Sequence, residues 1–227
     1  GRPCARQARR VTGNVPRVID HDVLERVLGS ALRSGGDFAE IYAEDKRSTS
    51  AALDDGRVEQ VTSGRDRGAG IRVIAGDTTG FAHTSDLSEA GLLAAAEAAS
   101  AAARQGGGGA RTVALTPTAT TPRNTIAVFP DDVAKSAKVE LLQRVDAAAR
   151  AVGSAIVQVS AGYGDSRKRV LVANSDGLLA DDEVVRCLLR VSAVANGDAC
   201  MQTGYQSMRQ TIGFRSDEHT SELQSPY

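Results

Sequence analysis

The chain has 227 residues, 41% hydrophobic and 24% charged, with a formal net charge of −1. That balance suits a soluble globular protein and gives no general attraction to nucleic acid or acidic lipid. No run approaches the ~18 apolar residues that span a bilayer, and with 4% aromatics and no Trp the core must rest on Val, Ile, Leu and Ala.

Residues 1–19 begin with Arg2, Arg6, Arg9, Arg10 and Arg17 and no acid before Asp20. They lack the long apolar stretch of a secretory signal and are expected to form a disordered extension. Residues 20–33 read as the first helix. Val23, Leu24, Val27, Leu28, Ala31 and Leu32 make an apolar stripe, Asp22 and Glu25 a capping pair, and Gly35-Gly36 the stop.

Residues 38–45 alternate as a strand, 48–53 and 57–62 flank an Asp55-Gly56 turn, and 70–85 form a hairpin about Gly76-Asp77. A second helix is expected over 86–104, with Asp86 and Glu89 as its capping pair. The glycines at 106–109 precede no Lys-Ser/Thr and no helix start. They read as a linker rather than a phosphate cradle. Pro117, Pro122 and Pro130 mark 116–130 as an extended connection, and 131–152 is the clearest helix. Strands are then expected over 156–163, 169–173 and 178–182, followed by a hairpin at 191–206 about Gly197-Asp198.

Part of this order repeats. The Gly-Asp turns are offset by 197 − 76 = 121, and Asp55-Gly56 and Asp176-Gly177 share that offset, as do Tyr42 and Tyr163. The expected fold is therefore α+β: a duplicated helix plus antiparallel β-meander, with helices covering the sheets. Its parts are one domain over 20–214, with repeats at 20–105 and 131–214 and a linker at 106–130. Residues 215–227 have no apolar period and resemble a translated sequencing adapter. They are expected to be a non-native tail after which the true protein would continue.

Chemistry is scarce. Of the histidines, His21, His83 and His219, no two stand four apart, so no H-E-x-x-H helix exists. His83 reads as a surface residue and His21 as part of a helix start. The pairs Asp54-Asp55 and Asp131-Asp132 read as turn and cap, and Asp181-Asp182-Glu183 as a strand end; none has the ligand spacing of a calcium loop. No G-x-S-x-G elbow occurs. Cys4, Cys187 and Cys200 are too scattered for a disulfide framework, and Cys187 reads as a buried, inert thiol. No catalytic, cofactor-binding or metal residue is assigned.

Three stretches carry a resemblance: AEIYAEDKRSTSAALDDGRVEQVTSGRDRGAGIRVIAGDTTGFAHTSDLS, RVLVANSDGLLADDEVVRCLLRVSAV and QTGYQSMRQTIGF. They resemble the N-terminal region of the TldD/PmbA family of metallopeptidases, over about residues 20–214. The Asn-Ser-Asp-Gly-x-Leu-Ala-x-Asp stretch at 174–182 is similar to the zinc-carrying TldD branch. The resemblance implies a non-catalytic N-terminal domain of a cytoplasmic zinc peptidase that acts on extended or unfolded peptides. It also implies a dimer of like or paired TldD/PmbA-type subunits. The zinc motif of that branch, H-E-x-x-x-H, does not occur in this chain, so no zinc or catalytic residue is transferred to it. The alternative is a subunit without peptidase activity, either a PmbA-like partner or a peptide-binding scaffold.

Overall fold

The computed structural model describes residues 17–103, 112–120, 125–197 and 199–215. Residues 1–16 of the extension expected over 1–19, the glycine run at 106–109, Pro122, Asp198 of the second Gly-Asp turn and the tail beyond Arg215 lie outside them.

Among the described residues three helices, α1 (His21–Ala31), α2 (Glu89–Ala102) and α3 (Lys135–Arg150), accompany seven strands. The strands are β1 (Phe38–Asp54), β2 (Arg57–Ala75), β3 (Thr78–Thr84), β4 (Thr116–Thr118), β5 (Ile156–Asn174), β6 (Leu178–Asn196) and β7 (Met201–Gln210). They form one α+β sheet. β3, β2, β1, β5 and β6 lie side by side in that order, antiparallel throughout. The outer side of β6 carries two strands, β7 along 187–196 and the short parallel β4 along 178–180.

The strands are longer than the sequence patterns suggest. The stretches 38–45 and 48–53 are one strand, 57–62 and 70–75 another, and 156–163 and 169–173 a third. The alternation fails at their centres for a physical reason. Every odd residue of β1 faces the helices, but only the two ends meet apolar partners. Ala39, Ile41 and Ala43 pack with α1 and α2 in one core, and Ala51 and Leu53 pack with α3 in another. Between them Asp45, Arg47 and Thr49 cross a polar belt, so no hydrophobic period marks the middle of the strand.

Side chains on a strand alternate between faces, and paired residues share a face. All three helices therefore lie on one side of the sheet, and among the described residues no helix covers the other. That open face carries Tyr42, Glu44, Lys46, Ser48 and Ser50 of β1 and their neighbours Gly162, Gly164, Ser166 and Lys168 of β5.

The helix starts differ from expectation. Asp20 caps α1 without a side-chain bond. The Glu25 carboxylate instead accepts the Leu115 N–H at 2.9 Å, which clips the segment before β4 to α1. Ser88 caps α2 by accepting the Gly91 N–H, and Asp86 accepts the Ser88 N–H at 2.9 Å. Glu89 is left to pair with Arg26 of α1. A 3-10 turn at Pro130–Asp132 precedes α3. Gly35 (φ 97°) ends α1 and Gly76 (φ 54°) opens the β2–β3 turn, both as expected.

The strand order is palindromic about β1–β5: β2 and β6 flank that pair, and β3 and β7 flank those. At the middle of the β1–β5 ladder Arg47 lies opposite Arg167. The β1–β2 turn uses two residues and the β5–β6 turn three. The two tyrosines that share the 121-residue offset lie on opposite faces of the sheet. Tyr42 is exposed on the open face, while Tyr163 is buried beneath α3.

Candidate functional site

Two regions have shape and chemistry beyond packing: the helix-side belt, and the open face with its β7 margin.

The belt is a chain of ion pairs. Arg65 donates twice to Asp45, at 2.8 and 2.7 Å, and Arg169 reaches the same carboxylate at 3.4 Å. Arg65 beside Asp45 holds this carboxyl below its usual range. Asp131 lies 3.6 Å from Arg47 and 3.3 Å from Arg167, and Arg167 also pairs with Glu183 at 2.7 Å. The Arg167 guanidinium stacks 3.8 Å over the Phe129 ring. Deeper under α3, Lys138 and Asp165 form an ion pair at 2.6 Å with both side chains almost fully buried. Tyr163 donates to the Cys187 sulfur at 3.7 Å, and burial pushes both groups' pKa values up. Cys187 is thus the inert thiol expected, whereas Cys200 is exposed. Acids and bases are matched here, with Asp45 and Asp165 buried while Arg47 and Arg65 reach solvent, which marks the belt as structural.

The sequence reading of the carboxylates needs correction. Asp181-Asp182-Glu183 lies inside β6 rather than at a strand end, with Asp181 held by Arg17 and Glu183 by Arg167. Asp131 precedes α3 by four residues and bridges two arginines instead of capping the helix. No spacing rule could have found that bridge, because its partners lie 84 and 36 positions away (131 − 47 and 167 − 131). His83 is an exposed residue stacked on Phe81.

Among the described residues, His21, Asp22 and Glu25 are the one group whose donor atoms converge as metal ligands could. The fit to a catalytic zinc is poor. Such a site takes three protein ligands, commonly with two or more histidines, and only one is present. Glu25 already accepts the Leu115 N–H, and the His21 Nε2 lies 3.3 Å from the Leu115 carbonyl oxygen. His21 and Glu25 hold a segment in place.

On the open face, a shallow concavity of about 710 Å³ crosses five strands from β2 to β7. Its floor includes Ser48, Ser50, Gly64, Gly164 and Ser166, and its rim carries Lys46, Arg186 and Arg209. Beside it runs β7, which pairs with β6 alone among the described strands and is exposed over 201–207.

The concavity and the β7 margin thus belong to one sheet, covered by helices on one side and polar on the other. Residues 39–103 match the family model described as PmbA/TldA metallopeptidase domain 1, and residues 129–226 match the PmbA/TldA metallopeptidase central domain. The chain belongs to the TldD/PmbA metallopeptidase family.

It is 33% identical over 161 residues to a protein named Metalloprotease TldD homolog from Haemophilus influenzae, covering 69% of this chain and 32% of that protein. It is 30% identical over 196 residues to a protein named Metalloprotease from Methanothermobacter thermautotrophicus, covering 86% of this chain and 42% of that one. The crystal structure of TldE from Thermococcus kodakarensis superposes with a TM-score of 0.69 at 16% identity, over 88% of this chain and 46% of that chain. This chain therefore spans under half the length of each of these relatives.

Proposed function

We propose that this chain is the N-terminal, non-catalytic part of a TldD-type zinc metallopeptidase, and that it holds extended or unfolded peptide beside a zinc carried elsewhere in the full protein. In this reading it also shields that site and helps two subunits assemble in the cytoplasm. The relatives named metalloproteases, matched over this stretch, support the assignment. The observation that carries it is the exposed margin of β7 over 201–207, where the 201–210 strand pairs, among the described strands, with β6 alone. Such a margin binds an extended chain through backbone hydrogen bonds, recognising conformation more than sequence.

The same reading treats 20–105 and 131–214 as copies of one ancestral unit joined by the linker at 106–130. The palindromic strand order supports it.

The test uses the full chain and a labelled ten-residue peptide, with a second peptide carrying proline at alternate positions. Proline cannot donate to a ladder, so strand pairing predicts that its binding weakens by about tenfold or more. Equal binding of the two would remove the β7 margin from the mechanism. With added zinc, the chain alone is expected to leave both peptides intact; hydrolysis blocked by a chelator would overturn the non-catalytic role.

A further inference from the structure

Six cations of this sheet have acids beside them, while Arg57, Arg67 and Arg190 form no ion pair among the described residues. On the open face Lys168 meets Glu44 at 2.5 Å and Arg72 meets Glu40 at 2.9 Å. In the belt Arg47, Arg65, Arg167 and Arg169 are all paired. The rim of the 710 Å³ concavity gathers three further cations of the unpaired kind. Lys46, Arg186 and Arg209 form no ion pair among the described residues. Glu44, two residues from Lys46, feels its charge but is hydrogen-bonded by Lys168 and by the Tyr42 hydroxyl. Asp66 stands opposite Lys46 in register but does not line the concavity. Asp165 and Cys187 line it, yet their side chains point into the belt, where Asp165 is neutralised by Lys138.

The floor offers donors and little bulk. Ser50 and Thr62 share a hydrogen bond at 2.6 Å, and Ser48 and Ser166 stand opposite each other across β1–β5. Nothing lies within 4 Å of where a Gly164 side chain would begin, so a ligand can approach the backbone there. The cations are also spread out. Lys46 is on β1, Arg186 two strands away on β6 and Arg209 on β7. Strands are about 4.8 Å apart, so Lys46 and Arg186 are about 10 Å apart at their backbones. One carboxylate can bridge cations two strands apart, as Asp45 does for Arg65 and Arg169. Arg209, however, lies one strand further out and four register positions along from Lys46 (Val184 to Leu188), about 19 Å away at the backbone. No single phosphate or carboxylate can serve all three. An extended peptide can, because its alternate side chains recur about every 7 Å on one side.

We infer that this concavity is a binding site for an acidic peptide segment, lying extended across the strands with its Asp or Glu carboxylates on Lys46, Arg186 and Arg209. The inference rests on the proposed peptide-holding role and adds a charge preference at a second surface.

The test is fluorescence anisotropy of the full chain with three labelled octapeptides, alternating Glu-Ser, Gly-Ser and Lys-Ser, and with a single-stranded octadeoxynucleotide. The Glu-Ser peptide is expected to bind at least about tenfold tighter than the Gly-Ser peptide at low salt, with the difference shrinking as salt rises. The double variant Arg186→Gln/Arg209→Gln is expected to lose most of that difference, while Arg72→Gln, whose cation is already paired, retains it. Circular dichroism of each variant separates loss of binding from loss of fold. Equal binding of all three peptides would overturn the acidic preference and leave the peptide-holding role standing. Binding of none would overturn both. Tighter binding of the oligonucleotide than of the Glu-Ser peptide would reassign the concavity to phosphodiesters.

Discussion

The Lys138–Asp165 pair shows how one residue can be indispensable without adding net stability. Each charge is tolerable beneath α3 only because the other is there, and the desolvation of both offsets much of their attraction. Lys138→Met alone strands a buried carboxylate and is expected to cost about 3–5 kcal/mol in urea denaturation. The double replacement Lys138→Met/Asp165→Leu should recover most of that loss. Asp45 governs the acid limb. Its folded pKa is depressed by Arg65, so its stabilisation is fully present above the unfolded value and is lost as pH falls through the folded one. Asp45→Asn should cost about 1–3 kcal/mol at neutral pH and flatten the fall in stability on acidification, read from melts between neutral pH and pH 2. With iodoacetamide, Cys200 should be alkylated in the native protein and Cys187 only after unfolding, as mass spectrometry of the digested chain would show.

Among the elements, α2 and β3 show what sequence could and could not convey. The Ala-rich run and the Gly76-Asp77 turn were legible, because helix propensity and positive φ are local properties. The role of Gly80 was not. A Cβ there would strike the Ala99 carbonyl and the Ala103 amide, so α2 lies directly on the backbone of β3. Gly80→Ala is expected to destabilise by about 1–3 kcal/mol through overpacking, whereas alanine at Gly164 meets nothing within 4 Å. The long strands were half legible for a related reason. Their apolar ends announced themselves, while their centres are polar on both faces, with the ion-pair belt on one side and the open concavity on the other. The unpaired cations of the candidate site were visible as residues. Only the register across five strands brought Lys46, Arg186 and Arg209 to one rim.

At the scale of the whole molecule, the two halves meet along the β1–β5 ladder, from Glu40↔Asn174 to Asp54↔Ser160. They also share their cores. The cluster under α1 and α2 takes Leu171, Ala173 and Leu179 from the second half, and the cluster under α3 takes Ala51 and Leu53 from the first. At the centre of the ladder Arg47 faces Arg167, a like-charge pair that would be unfavourable alone, and Asp131 touches both. Because each half completes the other's interior, neither can finish folding before contacts more than a hundred residues apart are made, which favours slow folding. The described part of the segment that joins them is held to both, with Val113 and Leu115 in the core under α1 and α2 and β4 paired along β6. Co-expressed halves divided near residue 108 should accordingly still reassemble and co-purify, more weakly than the intact chain folds, and Asp131→Asn should impair that complementation first.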